Sequence, residues 1–188
     1  MKTTLLTLGL MIGFQTLAQA EVKSYFMENQ KFSVNVPANW KEATNFLGSP
    51  LAFFGPEQKD APRVVMLFNP TGAEDKKGFF KHPPKDISTY KVGREEWLAD
   101  NLGESISYDK FKQEKWQGIE SSSQLGYHYD LASGQFYERS VYVTCAGNKI
   151  FYIKTLVPTA LEKDSNSIVE QTIKSLKCEK TDVKTAQK

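Results

Sequence analysis

Histidine and cysteine are scarce in this chain, two of each among 188 residues, and what is missing around them narrows the chemistry. Neither His82 nor His128 has a second histidine one helical turn away, and Cys145 and Cys178 are not a Cys-x-x-Cys pair. The spacings that build a zinc site are therefore absent, and neither a metal nor another cofactor is expected. No serine sits in a Gly-x-Ser-x-Gly elbow, the turn that presents a nucleophile in α/β hydrolases. No glycine-rich phosphate loop follows a strand-like run. Charge is even as well, with 24 Lys and Arg against 22 Asp and Glu, so the basic footprint of a nucleic-acid binder or an anionic-membrane binder is missing. Nor is there an uninterrupted apolar run of about 20 residues, the length that crosses a bilayer core.

What is present begins with an export leader. Lys2 supplies the positive start, and Leu5, Leu6, Leu8, Leu10, Met11, Ile12 and Phe14 form an apolar stretch that Gln15 and Thr16 end. Ala18 and Ala20 then place small residues where a signal peptidase reads. Residues 1–20 are accordingly read as a cleaved signal peptide, with Glu21 as the new N-terminus and no transmembrane anchor in the mature chain. The leader carries one Lys and no acid, so the mature chain keeps 23 basic and 22 acidic residues. Its length suits one domain, 21–179, that buries about 70% of its unfolded surface, followed by a polar tail, 180–188, expected to be disordered. The expected compartment is periplasmic or secreted.

An oxidising compartment invites Cys145 and Cys178 to pair, the alternative being two free thiols. The spacing supports the bond. Residues 149 to 157 read as a strand about 30 Å long. After Pro158, Leu161, Ile168, Val169, Thr172, Ile173 and Leu176 form one stripe of a helix about 25 Å long. A strand going out and a helix coming back return Cys178 to Cys145. Thr159 and Glu162 have capping-box spacing, with Asp164 and Ser165 as later starts.

Elsewhere the pattern is rich in strands. Phe32, Val34 and Val36 alternate with polar residues, and Leu51–Phe54 and Val64–Phe68 are short apolar runs between prolines. A long polar connection from Asn69 to Lys85 holds Phe79 and Phe80, candidate residues for a partner unless they fold back on the domain. Tyr90, Arg94, Trp97, Leu98 and Leu102 then share a helical face, and Gly103 stands where a C-cap is wanted. Residues 105 to 116 read as one strand, and 119 to 157 as a three-stranded meander turning at Ser133-Gly134 and Gly147-Asn148. The fold class is α+β, a helix-sheet-helix sandwich around a largely antiparallel sheet of about six strands.

The opening Phe32-Ser33-Val34-Asn35-Val36-Pro37-Ala38-Asn39-Trp40 resembles the first strand and Pro-x-x-Trp turn of PsbP-like domains, including the DcrB-like exported bacterial proteins. Thr172-Ile173-Lys174-Ser175-Leu176 resembles the end of that family's final helix, and the order of elements between agrees. The resemblance implies a helix-sheet-helix sandwich with an accessory or binding role. It assigns no site residue, because fold alone does not carry function.

One constellation stands out. If Ser133-Gly134 is a two-residue turn, His128 faces Arg139 and Asp130 faces Tyr137, all on one side of the sheet. If Gly147-Asn148 makes a second such turn, Lys154 and Cys145 join that side, beneath the terminal helix. His128, Asp130, Tyr137, Arg139 and Lys154 would then line a small polar pocket, able to hold an anion or a peptide carboxylate through Arg139 and Lys154. The plainer alternative is a cross-strand salt-bridge cluster at a sheet margin. Two functions follow as expectations. One is an exported, non-catalytic binding or accessory protein of the cell envelope, a monomer with an unidentified protein or peptide partner. The other is a periplasmic hydrolase or metal-dependent enzyme with His128 as general base beside Asp130 or a nearby serine.

Overall fold

The computed structural model describes residues 20–27, 30–59, 62–74, 88–116, 119–145 and 149–179. The leader up to Gln19, Phe79 and Phe80 with His82, the Gly147-Asn148 turn and the tail beyond residue 179 lie outside the described residues. Within them the chain runs β1 (Ala20–Met27), β2 (Gln30–Pro37), β3 (Lys41–Phe46), β4 (Ser49–Phe54), β5 (Val65–Glu74), α1 (Ser88–Asp100), β6 (Glu104–Tyr108), β7 (Lys112–Trp116), β8 (Ile119–Leu131), β9 (Gly134–Thr144), β10 (Lys149–Pro158), α2 (Thr159–Lys174) and β11 (Lys177–Glu179).

Among the described residues these strands form an eight-stranded antiparallel sheet in the order β3-β4-β5-β10-β9-β8-β6, with β7 also on β8, and a three-stranded sheet in the order β1-β2-β11. An expectation of about six strands is thus too low, for local reasons. β3 is polar at its start and β11 spans three residues, so neither carries an alternation long enough to read. The single strand expected over 105 to 116 is two, β6 and β7, which pair with successive stretches of β8.

Each sheet face then finds its cover. Phe32, Val34 and Val36 of β2 are fully buried. With Val169, Ile173 and Leu176 they form one cluster with Met66, Phe68, Val141, Val143, Phe151 and Ile153 of the large sheet. Each such side chain contributes about 1.5–3 kcal/mol on burial, which holds the small sheet and α2 on that face. The opposite face presents Tyr127 and Tyr129 to Leu98 of α1. The α+β reading holds, with a helix on either face and a second sheet beside α2. No helix among the described residues is long and apolar enough to cross a membrane.

The helix ends correct two expectations. Pro158 is the N-cap of α2 and supplies no side-chain bond. No capping box forms, because Thr159 is already the first helical residue and Glu162 turns outward to other partners described below. At the far end, Ser175 Oγ donates to Thr172 O at 2.7 Å and accepts from the Asn35 N–H at 2.8 Å. That bond ties the end of α2 to β2, and β11 follows at once on the same strand.

At the end of α1 the left-handed residue is Leu102, with φ 55°, and not Gly103. The Gly103 N–H donates to Leu98 O at 2.8 Å, as in a Schellman closure. Gly103 is needed for room, since a Cβ there would lie 2.6 Å from Asp130 O and would also strike Leu131. Leu102 is 90% exposed, so its side chain contributes little while its backbone is strained. Replacing Leu102→Gly should raise stability by up to about 1 kcal/mol, and Gly103→Ala should lower it by about 1–3 kcal/mol. Thermal melts of the two variants, moving in opposite directions, check this.

Candidate functional site

The site grows from the register of β8 and β9. Leu131 pairs with Gly134, so Ala132 and Ser133 make the turn, and His128 lies opposite Tyr137 with Asp130 opposite Gln135. The expected partners, Arg139 and Tyr137, are each displaced by two positions. Because side chains alternate with period 2, a shift of two keeps the face, and His128, Asp130, Tyr137 and Arg139 still share one side. Val141, Val143 and Cys145 continue that side into the core beneath α2.

Lys154 does not join them. It pairs with Ser140 instead of Val141, a shift of one residue arising from a longer connection between β9 and β10. An odd shift turns the side chain to the other face. There its Nζ lies 3.0 Å from Glu138 Oε1, while Arg94 Nη2 of α1 lies 3.2 Å from Glu138 Oε2. Glu138 is 2% exposed, and two cations satisfy a charge that would be costly alone. The Arg94 guanidinium also covers the rings of Trp97 at 4.5 Å and Tyr127 at 4.9 Å. Lys154 therefore helps fasten α1 to the sheet, on the face away from α2.

On the α2 side three elements converge on His128. Its Nε2 lies 3.0 Å from Glu162 Oε2, from the first turns of α2. Its Nδ1 lies 3.3 Å from Ser107 Oγ on the neighbouring strand β6, and its ring packs on Tyr137 at 4.6 Å. The Asn166 amide donates to Glu162 Oε1 at 3.1 Å and so orients the carboxylate. Asp130, expected beside His128, stays one pair nearer the turn, where the Gln135 amide meets it at 3.4 Å. Glu162 and Ser107 take the places imagined for Asp130 and a nearby serine. Among the described residues no group of His, Cys, Asp or Glu is arranged to hold a metal ion.

Beside this cluster a cleft of about 160 Å³ opens where β6 gives way to β7, walled by Asp109, Lys110, Lys112, Tyr137 and Arg139 with Gly126 among its lining. The glycine makes the wall possible, because a Cβ on Gly126 would collide with the Tyr137 hydroxyl and the Asp109 carboxylate. Tyr137 donates to Asp109 Oδ2 at 2.6 Å; burial first, and that bond second, push its phenol up to about 12. Arg139 Nη1 donates to Glu170 Oε2, and its guanidinium lies 5.6 Å from the Tyr137 ring. Lys174 Nζ reaches Glu170 Oε1 at 2.9 Å and Glu114 Oε2 at 3.2 Å. Gly126, Asp109, Glu162 and Glu170 were not foreseen. Gly126 had a signal, since glycine inside a strand marks a close approach of neighbouring groups.

No family model matches the chain, and no curated protein is similar to it in sequence. Among solved structures, the cyanobacterial PsbP protein, CyanoP, from Synechocystis superposes with a TM-score of 0.58 at 10% identity, covering 89% of this chain and 96% of that one. The fold is PsbP-like. A second PsbP-like neighbour is LpqN, described as involved in cell envelope biogenesis of Mycobacterium tuberculosis, with a TM-score of 0.54 at 11% identity, covering 86% of this chain and 92% of that one. At such identities the likeness is one of fold, and the PsbP-like frame names no residue of the cleft.

Burial of Glu170 works against its charge, but Lys174 and Arg139 outweigh it and hold the carboxyl below its ordinary 4.5. A depressed value in the folded state means that the stabilisation is complete above the ordinary value and is lost as pH falls through the folded one. Melting curves taken from neutrality down to about pH 3 should show a loss of stability at the acid end that Glu170→Gln reduces. The same slope in both proteins would contradict the pairing.

Proposed function

We propose that this chain is an exported accessory protein of a cell envelope that works by binding, and that the cleft beside Arg139 receives an anionic group of its ligand or partner. The observation that carries the reading is the clustering of Arg139, Lys110 and Lys112 around an opening floored by Gly126. At the cleft Asp109 accepts from the Tyr137 hydroxyl, Glu170 is held by Arg139 and Lys174, and Lys112 is itself paired with Glu114, so Arg139 and Lys110 carry the recognition. A guanidinium with several donors keeps capacity for a carboxylate after one bond to Glu170. The Cys145–Cys178 bond supports an oxidising compartment, and the envelope role printed for LpqN supports the setting. His128 borders the cleft through its contact with Tyr137, whereas Lys154 drops out of the set.

The test uses a library of peptides with free C-terminal carboxylates, each beside its amidated form. Binding that prefers the free acid and weakens by at least about tenfold in Arg139→Ala and in Lys110→Glu is expected. Lys110 is exposed at the rim, so its variant separates recognition from folding. Equal binding of acid and amide forms would contradict the reading.

A second reading has one observation in its favour, the chain Ser107, His128 and Glu162. A carboxylate on Nε2 leaves Nδ1 able to accept the serine proton, as a nucleophile and its oriented base require. Against turnover, Ser107 is exposed on the edge strand β6, where an acyl intermediate would meet water without an enclosing wall. A fluorophosphonate probe decides between the two: the binding reading predicts no adduct, and labelling that disappears in Ser107→Ala would establish a hydrolase.

A further inference from the structure

Free strand edges attract other strands, because they present unpaired N–H and C=O groups in a row. The described residues contain several such edges, and most are guarded. β3 carries exposed Lys41 and Glu42 and kinks at Asn45, whose φ is 56°. β6 spans five residues and its register breaks between Ser105 and Ser107. β7 is a charged stretch with a similar break, and β11 spans three residues.

β1 differs in combining length with an unbroken register, although it carries an exposed Glu21 near its start. It pairs with β2 from Ala20 to Met27 without a register shift, and the stretch from Glu21 to Met27 stays in the exported chain. Its one lysine is turned inward, where Lys23 Nζ meets Glu42 at 3.0 Å and Tyr25 donates to the same carboxylate at 2.8 Å. The outward side of the strand offers Val22, 71% exposed, and Phe26, 62% exposed, on either side of Ser24. Isolated apolar side chains on a surface are ordinary. Two of them on one long, regular edge are what strand addition needs.

We propose that this edge is the contact of a homodimer, in which β1 pairs antiparallel with the same strand of a second copy about a two-fold axis at Ser24. The pattern of the strand selects a second copy, because it is complementary to itself. With the axis at Ser24, Val22 lies opposite the partner's Phe26 and Phe26 opposite the partner's Val22, so both apolar side chains are covered at once. Moving the axis to Lys23 sets two lysines directly opposite each other, which is unfavourable. Moving it to Tyr25 puts Phe26 opposite the partner's Ser24 and separates the apolar pairs. The dimer replaces the monomer expected from the sequence. It uses none of the elements that wall the cleft, so it stands or falls apart from the binding reading.

Opposite residues in an antiparallel pair have Cα atoms about 4.5–5.5 Å apart, inside the range of about 4.4–6.8 Å that a disulfide spans. The test places a single new thiol on the strand. Ser24→Cys should form a disulfide-linked dimer under mild oxidation, whereas Val22→Cys, which would face the partner's Phe26, should form little. In sedimentation the native exported chain should be dimeric, and Val22→Lys with Phe26→Lys should weaken it at least tenfold. Mixing that variant with one carrying Val22→Glu and Phe26→Glu should restore a mixed dimer. Equal crosslinking at both positions would overturn the register. Sedimentation as a single copy at about 0.1 mM, well above a micromolar affinity, would overturn the dimer and leave the edge to a strand of another protein.

Discussion

The bond between Cys145 and Cys178 joins the residue just past β9 to the middle of β11, with the two Cα atoms 5.6 Å apart and the two residues 33 positions apart in sequence. That link adds to the apolar burial that holds the small sheet and α2 on the large one. β11 pairs with β2, and Cys178 lies opposite Phe32, so the same residue belongs to the small sheet and is fastened to the large one. α2 has to span the distance between β10 and β11, which lays its Val169 and Ile173 on the core face. A crosslink closing a loop of this length restricts the unfolded chain by about 3–4 kcal/mol, a sizeable part of the stability of a domain this size.

Once α2 is held there, its other side chains determine what the open end of the sheet can do. Glu162 reaches His128, and Glu170 reaches Arg139. These contacts form a row of side-chain pairs along the helix, and the cleft lies just beyond it, where β6 and β7 part. The opposite face repeats the theme with different residues: Glu138 sits between Arg94 and Lys154 and fastens α1. One sheet thus carries two charge clusters, one buried under α1 and one at the margin of α2. The second borders the cleft.

The legible part of the chain was the part governed by short periodicities. Phe32, Val34 and Val36 announced β2, the run from 149 to 157 announced β10, and the apolar stripe after Pro158 announced α2. Together they returned Cys178 to Cys145. The parity of β8 against β9 was also legible, because a turn shifted by two positions leaves every side chain on its face. Lys154 was not, since its side depends on the length of a connection in which one residue reverses the answer. Glu162 read as half of a capping box because its spacing from Thr159 fits one; Pro158 took the cap, and the carboxylate became a partner of His128. Glu138 and Arg94 could be paired only once α1 was placed over the sheet, and no local pattern contains that information. The strands β1, β3 and β11 were missed, the last two because polar or very short segments are recruited by their neighbours.

If the disulfide reinforces the burial that holds α2 on the sheet, and α2 builds the charged margin of the cleft, cutting that link should be felt there first. Hydrogen exchange of the oxidised chain, compared with a Cys145→Ser, Cys178→Ser variant, measures this directly. The result expected is a selective loss of protection in β11, α2 and the β2 amides that face them, with the α1 face around Leu98, Tyr127 and Tyr129 nearly unchanged. An even loss across both faces, or an α2 as well protected without the bond as with it, would contradict the role given to the disulfide.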